Sequence, residues 1–426
     1  MEIQPSPIEA IKQAAAADPE RITHAALSRM NGNASRNTYL SSDETRTRDQ
    51  AARLAQQPSD VHGPLHGLPI ALKDCFDLEG FVTTSGSRFY ARHNTCASED
   101  SWVAAQLKAA GAIIIGKTHM QMLAYGITGE NRDYGDCLQP EDATRLTGGS
   151  SSGSAAAVQE GSAVAAIGTD TGGSIRAPAA LCGLAGYRAS IGIGDWHGTA
   201  HLAPSFDTIG WLCRDLRDLP QLAQSLFGFP TDMGSGDALR VSILSGSLLE
   251  DCDAPVLDSM ATWKERILRA GAQATNLQPD FFADAFSIYA PLQAAEAAGL
   301  HAGFFDQFEP AIADRLHWGA SMKPEEIAEW RANHQTFVRE TDALFTQADF
   351  LLMPAVPLAR LIAGNDQTAA RPRILRYTTP GSLAGLPAVV LPGRPGLQLL
   401  AARGDDRCLL HFAAYLGTRL ATEEAS

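Results

Sequence analysis

The chain has 426 residues, 45% of them hydrophobic, and a formal net charge of −14. Such an apolar content can fill a large core, and the acidic balance disfavours nucleic acid and anionic membrane as partners. The seven cysteines (75, 96, 137, 182, 213, 252 and 408) are scattered without a C-x-x-C pair, which argues against a disulfide framework or structural zinc and for a reducing, cytoplasmic setting.

The opening MEIQPSPIEAIKQ lacks a charged segment followed by an apolar one, so no secretion signal is expected. Residues 6–56 are helical in pattern: PIEAIKQAAAA and DPERITHAALSRM are rich in helix formers with apolar spacing near 3–4. GPLHGLPIALKDCFD carries LPIAL, a short apolar run bounded by Gly and Pro, which predicts a buried strand. SWVAAQLKAAGAIIIGKT then reads as helix, Gly stop and strand, the grammar of a parallel α/β sheet.

Residues 145–200 are rich in Gly, Ser and Ala. SGSAAAVQEG predicts a helix, SAVAAIGTD a strand and SIRAPAALCG a second helix. Small residues here permit tight turns and close backbone packing rather than marking low complexity. Residues 230–238 read as a surface loop, followed by a strand in RVSILS and a helix in DAPVLDSMATWKERILRAGA. The longest helical pattern spans 323–347. DFLLMPAV, PAVVLP and LQLLAAR predict strands, and DRCLLHFAAYLGTRL an amphipathic closing helix. No apolar run approaches the roughly 20 residues of a membrane span. No repeat and no linker divides the chain.

Three polar residues stand in apolar or Gly-rich surroundings: Lys73 after GLPIAL, Ser150 in TGGSSSGSAAA, and Ser174 in GTDTGGSIRAP. Ser150 and Ser174 lie 24 residues apart. That spacing accommodates helix, strand and loop, and predicts both at strand-to-helix loops on one edge of a sheet, where α/β folds place active sites. A serine needs a base to become a nucleophile. None of the eleven histidines sits in a recognisable nucleophile-and-base motif. A buried, neutral lysine can serve instead. Taken one at a time, each residue also admits a plainer reading. Lys73 fits a solvated lysine paired with Asp74 or Asp77, and Ser150 and Ser174 fit helix caps. No metal-ligand spacing is present, and no cofactor is expected.

The block GGSSSGSAAAVQEGSAVAAIGTDTGGSIRAPAALCGLAGYR resembles the namesake motif of the amidase signature family, serine hydrolases with a Ser–cis-Ser–Lys triad. GLPIALKDCFDLEGFVTTSGS is similar to that family's lysine segment. AGAIIIGKT, TGENRDYG, PSFDTIGW, DFLLMPAVP and SLAGLPAVVLP extend the resemblance over nearly the whole chain. LAYGITGENRDYG and APSFDTIGWLCRDL look most like the short subgroup that includes plant indole-3-acetamide hydrolases. Thr147, Gln139–Pro140 and YRAS at 187–190 depart from the common family pattern.

The resemblance implies an α/β fold: one large domain with a central mixed β-sheet flanked on both faces by helices. Within 1–426 it implies an N-terminal helical segment (1–60) and a catalytic core (61–225). A variable, mostly helical substrate-side region (226–345) and C-terminal strands with a helix (346–426) complete it. It implies Ser174 as acyl nucleophile, Ser150 as bridging serine in a cis peptide with Gly149, and Lys73 as general base. The backbone N–H groups of Thr171, Gly172, Gly173 and Ser174 would form the oxyanion hole. Asp170 and Arg176 would brace the loop as an ion pair, with hydrogen bonds from Ser151 and Thr169 in support. Met120, Met122, Tyr125 and residues 196–202 are the expected acyl pocket. The implied activity is hydrolysis of a small carboxamide to carboxylate and ammonia, without metal or cofactor. Hydrolysis of urea-derived amides, a role as amidase subunit of a glutamine-dependent amidotransferase, and an inactive binding protein on the same fold stay open. So do a homodimer and a small accessory subunit.

Overall fold

The computed structural model describes residues 4–230 and 239–424, so the loop expected at 230–238 falls, beyond residue 230, outside the described residues. The first helices form where the sequence supplies caps. Ser6, Asp18 and Asp43 precede helices Pro7–Ala17, Pro19–Gly32 and Glu44–Ala55, and each side chain accepts a first-turn backbone N–H. Proline opens the first two, at the position where its missing N–H costs nothing.

Eleven strands make one sheet. In chain order they are β1 (Tyr39–Ser41), β2 (Pro69–Lys73), β3 (Ile113–Thr118), β4 (Ala165–Asp170), β5 (Ala185–Arg188) and β6 (Thr208–Cys213), then β7 (Arg240–Leu244), β8 (Gln273–Leu277), β9 (Phe350–Pro354), β10 (Ala388–Leu391) and β11 (Leu397–Ala401). The spatial order is β1-β3-β2-β4-β6-β5-β10-β11-β9-β7-β8. The helix–Gly–strand grammar predicts parallel pairing. That holds for β2 with β3 and β4, and for β7 with β8 and β9. Between these groups the sheet is antiparallel, at β4–β6, β6–β5, β5–β10, β10–β11 and β11–β9. The sheet is therefore mixed. Short connections, such as the one joining β10 to β11, close antiparallel pairs without a crossover helix.

The two-residue side-chain period sorts the core onto two faces. Ile70, Leu72, Ile167 and Trp211 point to one face, packed with apolar residues of helices Trp102–Ala109, Leu219–Phe227 and Asp406–Glu424. Ala71, Ala166 and Leu212 point to the other, under helices Ser152–Glu160, Arg176–Cys182 and Ala370–Leu383. The second face is built from small residues, and it is the Gly/Ser/Ala-rich centre of the sequence. A Cβ on Gly168 would lie 2.5 Å from Ser151 Oγ, and one on Gly186 2.8 Å from Ala179 Cβ. Small side chains let helices and sheet approach this closely.

The longest helix among the described residues is Pro324–Leu344, within the expected 323–347. Helices Ala285–Leu300, Pro310–Ser321 and Ala370–Leu383 have no counterpart among the individually predicted elements. Among the described residues no helix is long and apolar enough to cross a membrane.

Candidate active site

β2 runs as PIALK, buried throughout, and ends on Lys73 with no exposed surface. Lys73 Nζ donates to Ser150 Oγ at 2.9 Å and to Thr169 Oγ1 at 2.8 Å. Among the described residues no carboxylate pairs with it. Asp74, the neighbour that a solvated lysine would use, is 2.7 Å from the buried Lys117 ammonium instead. Burial therefore lowers the Lys73 pKa, against the more distant pull of Cys75, Asp170 and Asp207.

Ser150 is buried, and the Gly149–Ser150 peptide is cis. Its carbonyl accepts the Gln121 N–H at 3.1 Å, while Gln121 Oε1 accepts the N–H groups of Thr128 and Gly129. Ser150 lies at the end of the connection from β3 to helix Ser152–Glu160, and Ser174 in the loop from β4 to helix Arg176–Cys182, so both stand in strand-to-helix loops. The cap reading fails: the residue at the first helix's cap is Ser151, which makes no side-chain cap. Ser174 is not a cap either: Ile175 holds that position before helix Arg176–Cys182. β3 and β4 flank β2 and run parallel to it, so the segments that follow them emerge at one edge of the sheet and meet there. Ser151 N–H donates to the Ser174 carbonyl at 3.2 Å, and Ser151 Oγ to the Thr169 carbonyl at 3.2 Å. Thr169 Oγ1 accepts from Lys73 and also lies 4.0 Å from Cys75 Sγ, where either atom can donate.

The loop after β4 is organised around Asp170. Its carboxylate accepts N–H groups of Gly173, Ile175 and Arg176, and pairs with the guanidiniums of Arg176 and Arg188, each at 2.9 Å. Burial alone would raise its pKa. The two guanidiniums and the N–H donors outweigh that and hold it well below the ordinary carboxylate range. Arg176 also donates to the Thr378 carbonyl, Gln398 Oε1 and Ser382 Oγ, so the charge cluster is fully hydrogen-bonded.

This bracing engages one of the four N–H groups expected to face an oxyanion. The Gly173 N–H is committed to Asp170 Oδ1 at 2.8 Å. Those of Thr171, Gly172 and Ser174 have no partner among the described residues. Gly173 has φ +122°, which a side chain would rarely adopt. A Cβ on Gly172 would lie 2.5 Å from Tyr289 Oη, and one on Gly173 2.6 Å from Thr378 Cγ2. Thr378 Oγ1 donates to the Gly172 carbonyl at 2.5 Å, and Thr171 Oγ1 to Asp207 Oδ1 at 2.6 Å. The loop is thus clamped on both sides. No described residue hydrogen-bonds to the Ser174 hydroxyl.

Ser174 opens onto a cavity of about 230 Å³, part of it continuous with solvent, walled by Tyr125, Ile127, Leu202, Tyr289 and Arg371 among others. Of the residues expected to form the acyl pocket, Tyr125 and Leu202 line this cavity. Met120 and Met122 are buried in the same apolar cluster as Tyr125 and Leu202 and do not line it.

The amidase family model matches residues 21–410. The chain belongs to the amidase family. It is a hydrolase of amide carbon–nitrogen bonds. This amidase is 31% identical over 413 residues to a 1-carboxybiuret hydrolase subunit of Pseudomonas sp. (strain ADP), covering 88% of each chain. It is 31% identical over 406 residues to Amidase 1 of Oryza sativa subsp. japonica, covering 86% of this chain and 93% of the relative. Its fold superposes on a crystal structure of an amidase with TM-score 0.86 at 29% identity, covering 96% and 97% of the two chains.

The sequence reading of this amidase missed Arg188, Asp207, Tyr289 and Arg371. Arg188 had a signal, since it ends an apolar strand as Lys73 does. Tyr289 and Arg371 had none: they reach the site from helices more than 100 residues downstream of Ser174.

Proposed function

We propose that this amidase cleaves a small carboxamide to carboxylate and ammonia through an acyl-enzyme on Ser174, with Ser150 carrying the proton and Lys73 as the base. The observation behind this reading is the buried Lys73 amine, without a counterion, hydrogen-bonded to Ser150. Burial favours the neutral amine that a base must be.

In this mechanism Lys73 takes the Ser150 proton as Ser150 takes that of Ser174. The Ser174 oxygen forms a bond to the amide carbon. The tetrahedral oxyanion sits against the free N–H groups of Thr171, Gly172 and Ser174, where each donor contributes about 2.7–4 kcal/mol to lowering the barrier. The C–N bond breaks as the proton passes back to the leaving nitrogen. Water then enters by the same relay, the Ser174–acyl bond breaks, and carboxylate leaves. Asp170, Arg176 and Arg188 act by holding the loop in shape.

The relative named 1-carboxybiuret hydrolase subunit favours a second reading of the substrate, a urea-derived amide, and with it a partner subunit. An amide panel scored for ammonia release separates these: aryl-acetamides, aliphatic amides, dicarboxylic half-amides, biuret and glutamine. The mechanism itself is tested with a fluorophosphonate label. A single adduct on Ser174, and loss of turnover in Ser174→Ala at an unshifted thermal midpoint, support it. An adduct elsewhere, or an active Ser174→Ala, overturns it.

A further inference from the structure

Helix Ala370–Leu383 lies over the Ser174 loop and presents one face to it. Thr378 donates to the Gly172 carbonyl, and Leu375 lies 3.3 Å from where a Gly172 Cβ would be. One further turn toward the helix start, at the same face by the three-to-four-residue spacing, is Arg371. It lines the cavity that Ser174 opens onto.

Arg371 has no carboxylate partner and no hydrogen bond among the described residues. Its guanidinium stands 5.9 Å from the Tyr125 ring centroid. The guanidinium of Arg315 covers the same ring at 4.6 Å and donates to the Tyr125 carbonyl at 2.7 Å. Arg315 Nε is buried without a partner, and no carboxylate forms an ion pair with this side chain among the described residues. Burial, then the neighbouring Arg371 charge, lowers the Arg315 pKa to about 10. Two cations therefore share one aromatic ring at the cavity wall, without an anion between them. Where the chain buries a guanidinium completely, it pairs it. Arg176 and Arg188 share Asp170 and exhaust their remaining donors on carbonyls and side chains. Arg371 is partly exposed at the cavity wall, and its donors stay free for a ligand that brings the opposite charge.

We infer that Arg371 binds a carboxylate on the substrate, so that the amide cleaved at Ser174 is the half-amide of a short dicarboxylic acid. This rests on the proposed Ser174 chemistry and deepens it. A guanidinium presents paired donors that match a carboxylate's two oxygens. Arg371 and Ser174 line the same narrow cavity. The carboxylate and the scissile carbonyl must therefore be only a few bonds apart.

The test compares succinamate with its neutral counterpart succinamide, by kcat/KM for ammonia release. The wild-type enzyme is expected to favour succinamate, and Arg371→Gln to lower the succinamate-to-succinamide ratio by roughly 100-fold, the scale of removing one partner from a desolvated charge pair. Arg371→Lys keeps the charge without the paired donors, so its ratio is expected to lie between the two. It carries the test if Arg371→Gln fails to fold. Calorimetry of succinamate on Ser174→Ala gives a readout free of turnover, and adding Arg371→Gln should abolish that binding. A ratio unchanged in a folded Arg371 variant, or a wild-type preference for succinamide, overturns the inference and leaves Ser174 catalysis standing. An active Ser174→Ala sinks the catalytic reading, while the binding measurement still decides Arg371.

Discussion

Lys117 Nζ lies 2.7 Å from Asp74 Oδ1, with both side chains fully buried. Asp74 also accepts the Thr84 N–H, and Lys117 donates to the Val82 carbonyl and Thr83 Oγ1. This pair keeps the carboxylate adjacent to Lys73 occupied by a different cation. Lys117→Met is expected to strand a buried negative charge and destabilise the protein by about 3–5 kcal/mol. Urea unfolding measures it. A loss below about 1 kcal/mol would show that the pair does not matter to the fold.

The lowered pKa of Lys73 has two consequences of opposite kind. Turnover should fall on the acid side as the amine is protonated, and a wild-type profile flat down to about pH 5 would count against a lysine base. Stability should behave differently. Between the lowered folded value and the ordinary 10.5, the unfolded chain binds a proton that the folded chain does not. This group's contribution therefore becomes more favourable as pH rises through that interval. Lys73→Met should be inactive and should lack this part of the slope, as read by unfolding titrations across pH.

Gly172 has no room for a methyl group beneath Tyr289 Oη. Gly172→Ala should lower kcat/KM by roughly 100-fold by displacing the oxyanion donors. Tyr289→Phe removes the obstructing hydroxyl, so the double variant should recover part of that loss. A double-mutant cycle on kcat/KM reads the coupling, and strict additivity would exclude this contact as the cause.

Asp218 is buried beside the N-terminal helix and accepts the Ile8 N–H at 3.2 Å. Burial pushes its carboxyl up to about 7, against hydrogen bonds from Ser6 and Ile8. A raised carboxyl stabilises fully below its ordinary 3.8 and loses that contribution as pH climbs through the folded value. Hydrogen exchange in residues 7–17 should therefore quicken between about pH 5 and pH 8, beyond the intrinsic rate. Asp218→Asn should remove the excess, and an identical excess in that variant would exclude Asp218 as its source.

Much of this architecture was legible in the sequence because strands and helices of an α/β core are local patterns. PIALK, AAIGTD and FLLMP are mostly apolar runs, two of them ending on the polar residues Lys73 and Thr169–Asp170, and strands buried on both faces read this way. Helix formers with apolar spacing near 3–4 placed the N-terminal helices, and the Gly/Ser block carried the family resemblance. Helix Ala370–Leu383 was not legible. Pro372, Pro380 and Gly381 read as breaks, and only packing against the Ser174 loop and the sheet holds the segment helical.

The sequence by itself singled out the residues proposed to carry chemistry, since Lys73, Ser150 and Ser174 stand out by type against their surroundings. Which partner each charge takes was decided by tertiary structure alone. Asp74 lies next to Lys73 in the chain yet pairs with Lys117, and Asp170 collects Arg188 from a strand two places across the sheet. Arg371 reaches the cavity from nearly 200 residues beyond Ser174. The reason is physical. Identity and periodicity are properties of a few consecutive residues. A charge pair or a cavity wall depends on distances that exist only once the sheet has closed and water has been excluded.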